Sequence, residues 1–234
     1  MFKNFSITAS PLFHLFYPHN CIGCGSDIID ADNFLCLECI QELPHTHFAM
    51  HANNPVEKIF RGRIPVTSAM SELFFSKESA VQNLIHELKY RNNKTVGLYL
   101  GNLIGESLLN SHRFHDIEVL VPLPLFKRKE KRRGYNQSEI LCRGISEVIN
   151  KPILKKSVIR KIFTETQTKK HRMERWENVE NTFHVTDRAS LEGKHVLLVD
   201  DVITTGATLE SCGAEILKLE NTTLSIATLA VATK

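Results

Sequence analysis

The chain has 234 residues, of which 42% are hydrophobic and 24% charged, with a formal net charge of +3. That composition excludes global disorder and excludes any argument for a partner from net charge alone, and the length suits one α/β domain plus a small appendage. No run of about 18 apolar residues is present, which excludes a helical membrane span, and the mildly apolar start from Phe2 to Tyr17 lacks the long apolar stretch and small-residue cleavage site of a signal peptide.

The first pattern along the chain is Cys21-Ile22-Gly23-Cys24 and Cys36-Leu37-Glu38-Cys39. Two Cys-x-x-Cys knuckles this close place four thiolates around one metal, with Gly23 and Gly25 supplying the turns. All four ligand positions are filled, so structural Zn2+ is expected, with no open position for catalysis. Two redox dithiols or free thiols are the other reading. Cysteines so spaced belong to a reducing compartment, and a cytoplasmic location is expected. So short a segment cannot bury a core of its own, so metal binding is expected to supply its folding energy. His45, His47 and His51 follow, flanked by Pro44, Asn53, Asn54 and Pro55. A second metal site is one reading; a solvated linker is the expectation. The division is a zinc module over residues 1–55 and a second domain over 56–234.

From about residue 64 the pattern alternates between helical and strand periods. Val81, Leu84, Ile85 and Leu88 recur at helical spacing, as do Val96, Leu100, Leu103, Ile104 and Leu108. Val119-Leu120-Val121 reads as a buried strand closed by Pro122-Leu123-Pro124. Lys127 to Arg133 then carries six basic residues in seven. Asn136-x-x-Glu139 predicts a capped helix with Leu141, Ile145, Val148 and Ile149 facing inward, ended by Lys151-Pro152. A strand is expected over Ile153 to Ile159. The polar stretch from Lys161 to Asn181 reads as a functional loop or a partly exposed helix. His195 to Val199 is the clearest strand. A helix marked by Leu209, Ile216 and Leu217 and a final strand from Leu224 to Val231 follow. Cys142 and Cys212 fall on helix faces as core packing. This alternation predicts an α/β fold, a mostly parallel sheet with helices on both faces.

The strongest chemical signal is Val199-Asp200-Asp201-Val202-Ile203-Thr204-Thr205-Gly206-Ala207-Thr208. A buried strand ends in two acids, and a turn of small residues leads into a helix. Ligands of open α/β sheets bind at such strand ends. Thr204 to Thr208 carry no bulky side chain, so backbone N–H groups, hydroxyls and a helix N-terminus can hold one phosphate. Adjacent carboxylates beside an anion suit sugar hydroxyls, Mg2+ or both. The glycine-lysine sequence of a P-loop is missing, which disfavours a nucleoside triphosphatase.

At these residues the sequence resembles the type I phosphoribosyltransferases. Taken with the four-cysteine knuckle, Leu88-Lys89-Tyr90-Arg91, Val121-Pro122-Leu123-Pro124, Arg133-Gly134-Tyr135-Asn136-Gln137, Gln167 and Arg175-x-x-Asn178, in that order, it resembles the ComF family over nearly the whole chain. Gln167-Thr168-Lys169-Lys170-His171 departs from the family by being more basic.

The resemblance implies that Asp200 and Asp201 hold ribose hydroxyls of 5-phosphoribosyl 1-pyrophosphate. It implies that Thr204, Thr205, Gly206, Ala207 and Thr208 hold the 5′-phosphate, with Mg2+ as companion ion. Pro122 to Arg133 should then contain the pyrophosphate loop, where Arg132 and Arg133 offer guanidinium forks. Gln167 to Asn178 should correspond to the loop that closes over substrate. A role in cytosolic handling of incoming single-stranded DNA, with other competence proteins as partners, is also implied. For DNA, Lys127, Arg128, Lys129, Lys131, Lys169, Lys170 and Arg172 are the cationic candidates, and Trp176 and Tyr135 the stacking ones. A metabolic enzyme resembling an amidophosphoribosyltransferase and a non-catalytic sensor of the same ligand are the alternatives. No glutaminase domain fits the first of these, since the first cysteine is Cys21.

Overall fold

A computed structural model of the chain describes residues 20–27, 29, 33–91, 93–160 and 182–232. In chain order these form α1 (Leu37–Gln41), α2 (Pro55–Phe60), β1 (Ser68–Phe75), α3 (Ala80–Tyr90), α4 (Lys94–Leu109) and β2 (Val119–Pro122). Then come α5 (Lys127–Arg133), α6 (Gln137–Ile149), β3 (Val158–Arg160), β4 (Phe183–Val185), β5 (His195–Ile203), α7 (Ala207–Ile216) and β6 (Thr223–Ala232). The main sheet has the order β1-β6-β5-β2, and every pairing in it is parallel.

Strand β5 shows why the helices must cover both faces. Successive strand residues point to opposite sides. Val196 and Leu198 join Val56 and Phe60 of α2 and Leu209, Cys212 and Ile216 of α7 in one core. Leu197 and Val199 join Leu84 and Leu88 of α3, Leu100 of α4 and Leu141 and Cys142 of α6 in the other. A strand buried twice over reads as an unbroken apolar run. The α/β fold with a mostly parallel sheet and helices on both faces is therefore present.

Strand β1 has no such run, and the sequence pattern does not reveal it. Ser68, Ser71 and Glu72 interrupt its apolar residues, yet all three are buried. Glu72 is accommodated because Nδ1 of His45 lies 2.7 Å from its Oε1. The burial of Glu72 comes with a correction. Residues 43–54 are not a solvated linker but pack along β1. Thr46 N donates to Glu72 O at 2.9 Å, and Phe74 N donates to Pro44 O at 2.8 Å. Asn54, 5% exposed, closes this segment. Its Oδ1 accepts from Val56 N at 2.9 Å and Glu57 N at 3.1 Å, capping α2. Its Nδ2 donates to Phe48 O, His51 O and Ala69 O. A buried amide satisfied on both ends is a structural residue.

Two further expectations change. The strand over Ile153 to Ile159 is divided. Ile153 only bridges Leu120, and Val158–Arg160 pairs antiparallel with β4 in a separate two-stranded sheet. The polar turn between them is fastened by Ser157 Oγ donating to Leu154 O at 2.9 Å. Asn136 does cap α6, its Oδ1 accepting from Ser138 N at 3.1 Å, but Glu139 does not close a capping box. Glu139 instead meets Arg143 Nη2 at 2.7 Å and Lys155 Nζ at 2.8 Å. Cys142 and Cys212 are fully buried core residues, as expected.

Candidate functional site

Strand β5 does not end before the acids. It runs through them to Ile203, with Asp200 opposite Thr228 and Val202 opposite Ala230 of β6. Asp200 and Asp201 are thus held by a sheet rather than a loop, and as neighbours they project to opposite sides. Asp201 meets Lys89 at the end of α3, Nζ to Oδ2 being 3.0 Å. Asp200 accepts from Ser138 Oγ of α6 at 3.0 Å. Burial, with the Asp201 charge next to it, raises the Asp200 carboxyl to about 7, against the pull of Ser138 and Lys89.

Past Ile203 the chain turns. Thr204 and Thr205 are exposed, and Gly206 is the N-cap of α7 with φ of 74°. A Cβ on Gly206 would lie 2.6 Å from Ile59 Cγ2, so both the backbone angle and the space require glycine. Asp200 and the segment Val202–Leu209 line a recess of about 50 Å3. The first turn of a helix leaves its leading amides without intrahelical partners, and Gly206 to Leu209 at the start of α7 are among the residues that line this recess. Arg63, which no sequence pattern singles out, fastens the loop from outside. Its Nη1 donates to Thr205 O at 2.8 Å and its Nη2 pairs with Glu210.

The Arg133-Gly134-Tyr135-Asn136-Gln137 segment connects the strand ends. Tyr135 is buried and its hydroxyl donates to Leu88 O, one residue before Lys89. Asn136 Nδ2 donates to Leu123 O at 2.9 Å, just past β2. Leu123 N in turn donates to Val199 O at 2.8 Å, one residue before Asp200. A single turn thereby fixes α3, β2 and β5 relative to one another.

The four cysteines form a separate cluster. The Sγ atoms of Cys21, Cys24, Cys36 and Cys39 all lie within 4.8 Å of one another, and all six cysteines are free of disulfides. Four sulfurs about 2.3 Å from one Zn2+ would stand about 3.8 Å apart; Cys24 and Cys36 sulfurs stand 3.7 Å apart. The set therefore fits a tetrahedral metal ion. Burial acts to raise the Cys21 thiol, but hydrogen bonds from the amides of Cys24, Cys36 and Gly23 prevail and bring it down to about 6. Gly23 is needed for space, since a Cβ there would lie 2.7 Å from Cys39 Sγ. The module is docked on the main body: Cys21, Leu35 and Cys39 belong to the same core as Val81 and Leu84.

Residues 143–234 match the model of the phosphoribosyl transferase domain family, a stretch that contains Asp200 to Thr208. Competence protein F of Haemophilus influenzae is 26% identical over 87% of this chain and 93% of its own length. The DNA utilization protein YhgH of Escherichia coli K12 is 30% identical over 76% of each chain. The chain belongs to the ComF family. With it the chain joins the type I phosphoribosyltransferase superfamily. Among solved structures, a glutamine phosphoribosylpyrophosphate amidotransferase from Bacillus subtilis superposes with a TM-score of 0.44 at 18% identity, over 61% of this chain and 30% of that one.

The other residues singled out in the sequence lie as follows. The basic run, expected within a loop, forms the short helix α5 with no buried residue. Arg132 is exposed there. Arg133 places its guanidinium 5.5 Å from the Tyr90 ring centre, with its Nε buried and without a partner. Arg91 pairs with Glu87 at 3.1 Å, 70% exposed, with no described contact to the acids. Tyr135 cannot serve as a stacking platform, because it is buried. Gln167, Lys169, Lys170, His171, Arg172, Arg175, Trp176 and Asn178 lie outside the described residues. Besides Arg63, the cation Arg160 was also missed. Arg160, ending β3, is held against the rings of Phe126 at 3.8 Å and Phe183 at 5.1 Å. Burial lowers its pKa while Asp200 acts to raise it.

Proposed function

We propose that this ComF-family chain binds 5-phosphoribosyl 1-pyrophosphate and supports cytosolic handling of incoming single-stranded DNA during natural transformation. The observation that carries the ligand reading is the placement of Asp200 and Asp201 near the carboxyl end of a central parallel strand, which continues only through Val202 and Ile203 before the Thr204–Thr208 turn and the α7 N-terminus. Thr204, Thr205, Gly206, Ala207 and Thr208 hold the 5′-phosphate in this reading. Asp200 and Asp201 hold the ribose hydroxyls and, through oxygen donors of the right chemistry, the Mg2+ that accompanies pyrophosphate. Arg132 and Arg133 supply charge toward the pyrophosphate. Cys21, Cys24, Cys36 and Cys39 hold one structural Zn2+, and thiolate ligands of this kind suit the reducing cytoplasm. No helix among the described residues is long and apolar enough to cross a membrane.

The link to DNA is supported by the DNA utilization protein among the relatives and by the exposed cations of α5. If the site turns over, an acceptor attacks ribose C1′ and pyrophosphate leaves, with the carboxylates favouring positive charge on the ring. The test is thermal unfolding with and without phosphoribosyl pyrophosphate and Mg2+. The ligand should raise the melting temperature, because it binds the folded state only. Asp200→Asn with Asp201→Asn should abolish that rise. An undiminished rise in the double variant places the ligand elsewhere.

A further inference from the structure

We infer that Arg63 is a positioning residue for the Thr204–Thr208 turn: by holding the Thr205 carbonyl outward, it turns the Gly206 N–H toward the recess and makes the turn a receptor for an anion. The inference rests on the reading above that this turn holds a phosphate, and adds what sets the turn's polarity. Arg63 lies just past α2 and is not among the residues that line the recess. Its Nη1 donates to Thr205 O at 2.8 Å, across 142 positions of sequence, and to Ile59 O at 3.2 Å. Its Nη2 pairs with Glu210 in the first turn of α7, so the guanidinium charge is matched outside the recess.

A trans peptide points its carbonyl and its N–H in opposite directions, and no peptide bond among the described residues is cis. With Thr205 O on Arg63, the Gly206 N–H is directed away from α2. Helix α2 also closes that side of Gly206, since a Cβ there would lie 2.6 Å from Ile59 Cγ2 and 3.1 Å from Phe60 Cε1. Among the described residues none accepts a hydrogen bond from the Gly206 amide. Gly206, at φ of 74° and ψ of −2°, has the angles of the third residue of a type II turn. Rotating the Thr205–Gly206 peptide by about half a turn gives the type I form, with that glycine at φ of about −90°. Glycine takes either sign of φ, so the residue itself does not choose between them. The two forms differ in chemistry. One presents an N–H to the recess and suits an anion; the other presents a carbonyl oxygen, which repels one. Arg63 decides between them, because only the first form brings Thr205 O to its guanidinium.

Labelling with 13C-carbonyl threonine and 15N-glycine reads this peptide directly, because Thr205-Gly206 is the one threonine-glycine pair in the sequence and yields a single amide signal. The full-length protein is titrated with inorganic phosphate, and separately with phosphoribosyl pyrophosphate and Mg2+, while that signal is followed. Both should move the wild-type Gly206 proton downfield, as an amide that donates to an anion does. Arg63→Ala should weaken binding of both by roughly 10- to 100-fold, the range of one hydrogen bond to a charged group, and should remove most of the downfield movement. Arg63→Lys, with a single donor head for two partners, should fall between wild type and Arg63→Ala. Glu210→Gln leaves Arg63 on Thr205 and should stay within about 5-fold of wild type. Binding tightened about 10-fold or more in Glu210→Gln would show that Arg63 acts through its charge, and overturns the inference. So does an Arg63→Ala protein that melts lower yet keeps wild-type affinity and Gly206 movement, since it has lost only a fastening between α2 and α7. Where Arg63→Ala does not fold, Arg63→Lys decides: wild-type affinity and movement overturn the inference, and an intermediate loss of both supports it. No movement of the wild-type signal with either probe overturns it as well, and a melting-temperature rise with phosphoribosyl pyrophosphate in that same protein leaves the ligand reading standing. A Gly206 signal that follows inorganic phosphate and depends on Arg63, without any melting-temperature rise with phosphoribosyl pyrophosphate, removes the ligand reading alone.

Discussion

Lys89 Nζ lies 3.0 Å from Asp201 Oδ2, and this ion pair is the direct bond between α3 and the acidic end of β5. Both side chains are largely shielded, at 21% and 12% exposure. Lys89→Met would leave two adjacent carboxylates without their nearest cation, at a cost of about 1–3 kcal/mol. Adding Asp201→Asn should recover part of that loss, because the pair is coupled. Urea unfolding of the two single variants and the double variant checks it; strictly additive losses would show that the pair contributes no coupling.

Asp200 makes stability depend on pH. Its folded pKa is raised to about 7, against about 3.9 for an unfolded aspartate. The folded state thus holds a proton that the unfolded state has lost over this window. Stability from this group is complete below about pH 4 and falls as pH rises toward and through 7. Asp200→Asn removes the dependence while keeping a partner for Ser138. It should raise the melting temperature at pH 8 and leave it nearly unchanged at pH 4. Equal shifts at the two pH values would show that ionisation of Asp200 is not the cause.

Gly206 meets two separate demands. Gly206→Ala forces an alanine to φ of 74° and drives its Cβ to 2.6 Å from Ile59 Cγ2. A loss of about 2–4 kcal/mol follows from strain and overpacking together. Gly62 shares the φ of 74° but a Cβ there meets nothing within 4 Å. Gly62→Ala should therefore cost only about 1–2 kcal/mol. Denaturant midpoints of the two variants give the comparison.

The cysteine cluster should bind about one zinc per chain, measured by elemental analysis. Cys36→Ser should lose it and Cys142→Ser should keep it. Because Cys21, Leu35 and Cys39 are part of the core around Val81 and Leu84, chelation should lower the melting temperature of the whole chain. An independent early transition of the module, with the main transition unmoved, would show that this shared core is not coupled.

Much of the fold was legible in short windows. Val81, Leu84, Ile85 and Leu88 repeat with the period of a helix because one face of α3 is buried. His195 to Val199 is uniformly apolar because β5 is buried on both faces. The acids, the small-residue turn and the four cysteines were legible for the same reason: each is a local spacing that one backbone conformation requires. The charged side chain of Glu72 hid β1, since its neutralising partner His45 stands 27 positions away in the sequence.

What the sequence by itself determined is therefore the set of parts: the helices α3, α4 and α6, the strand β5 with its acids, the glycine turn into α7 and the metal-ligand spacing. Only the tertiary structure decided which cation meets which acid. Lys89 reaches Asp201, Arg63 reaches Thr205 and Glu210, and Ser138 reaches Asp200 across separations of 62 to 147 residues. It also decided that Tyr135 is buried while Tyr90 is open. Local patterns follow from backbone periodicity within one or two turns, whereas these pairings depend on how helices pack over a shared sheet, and packing is a property of the whole chain.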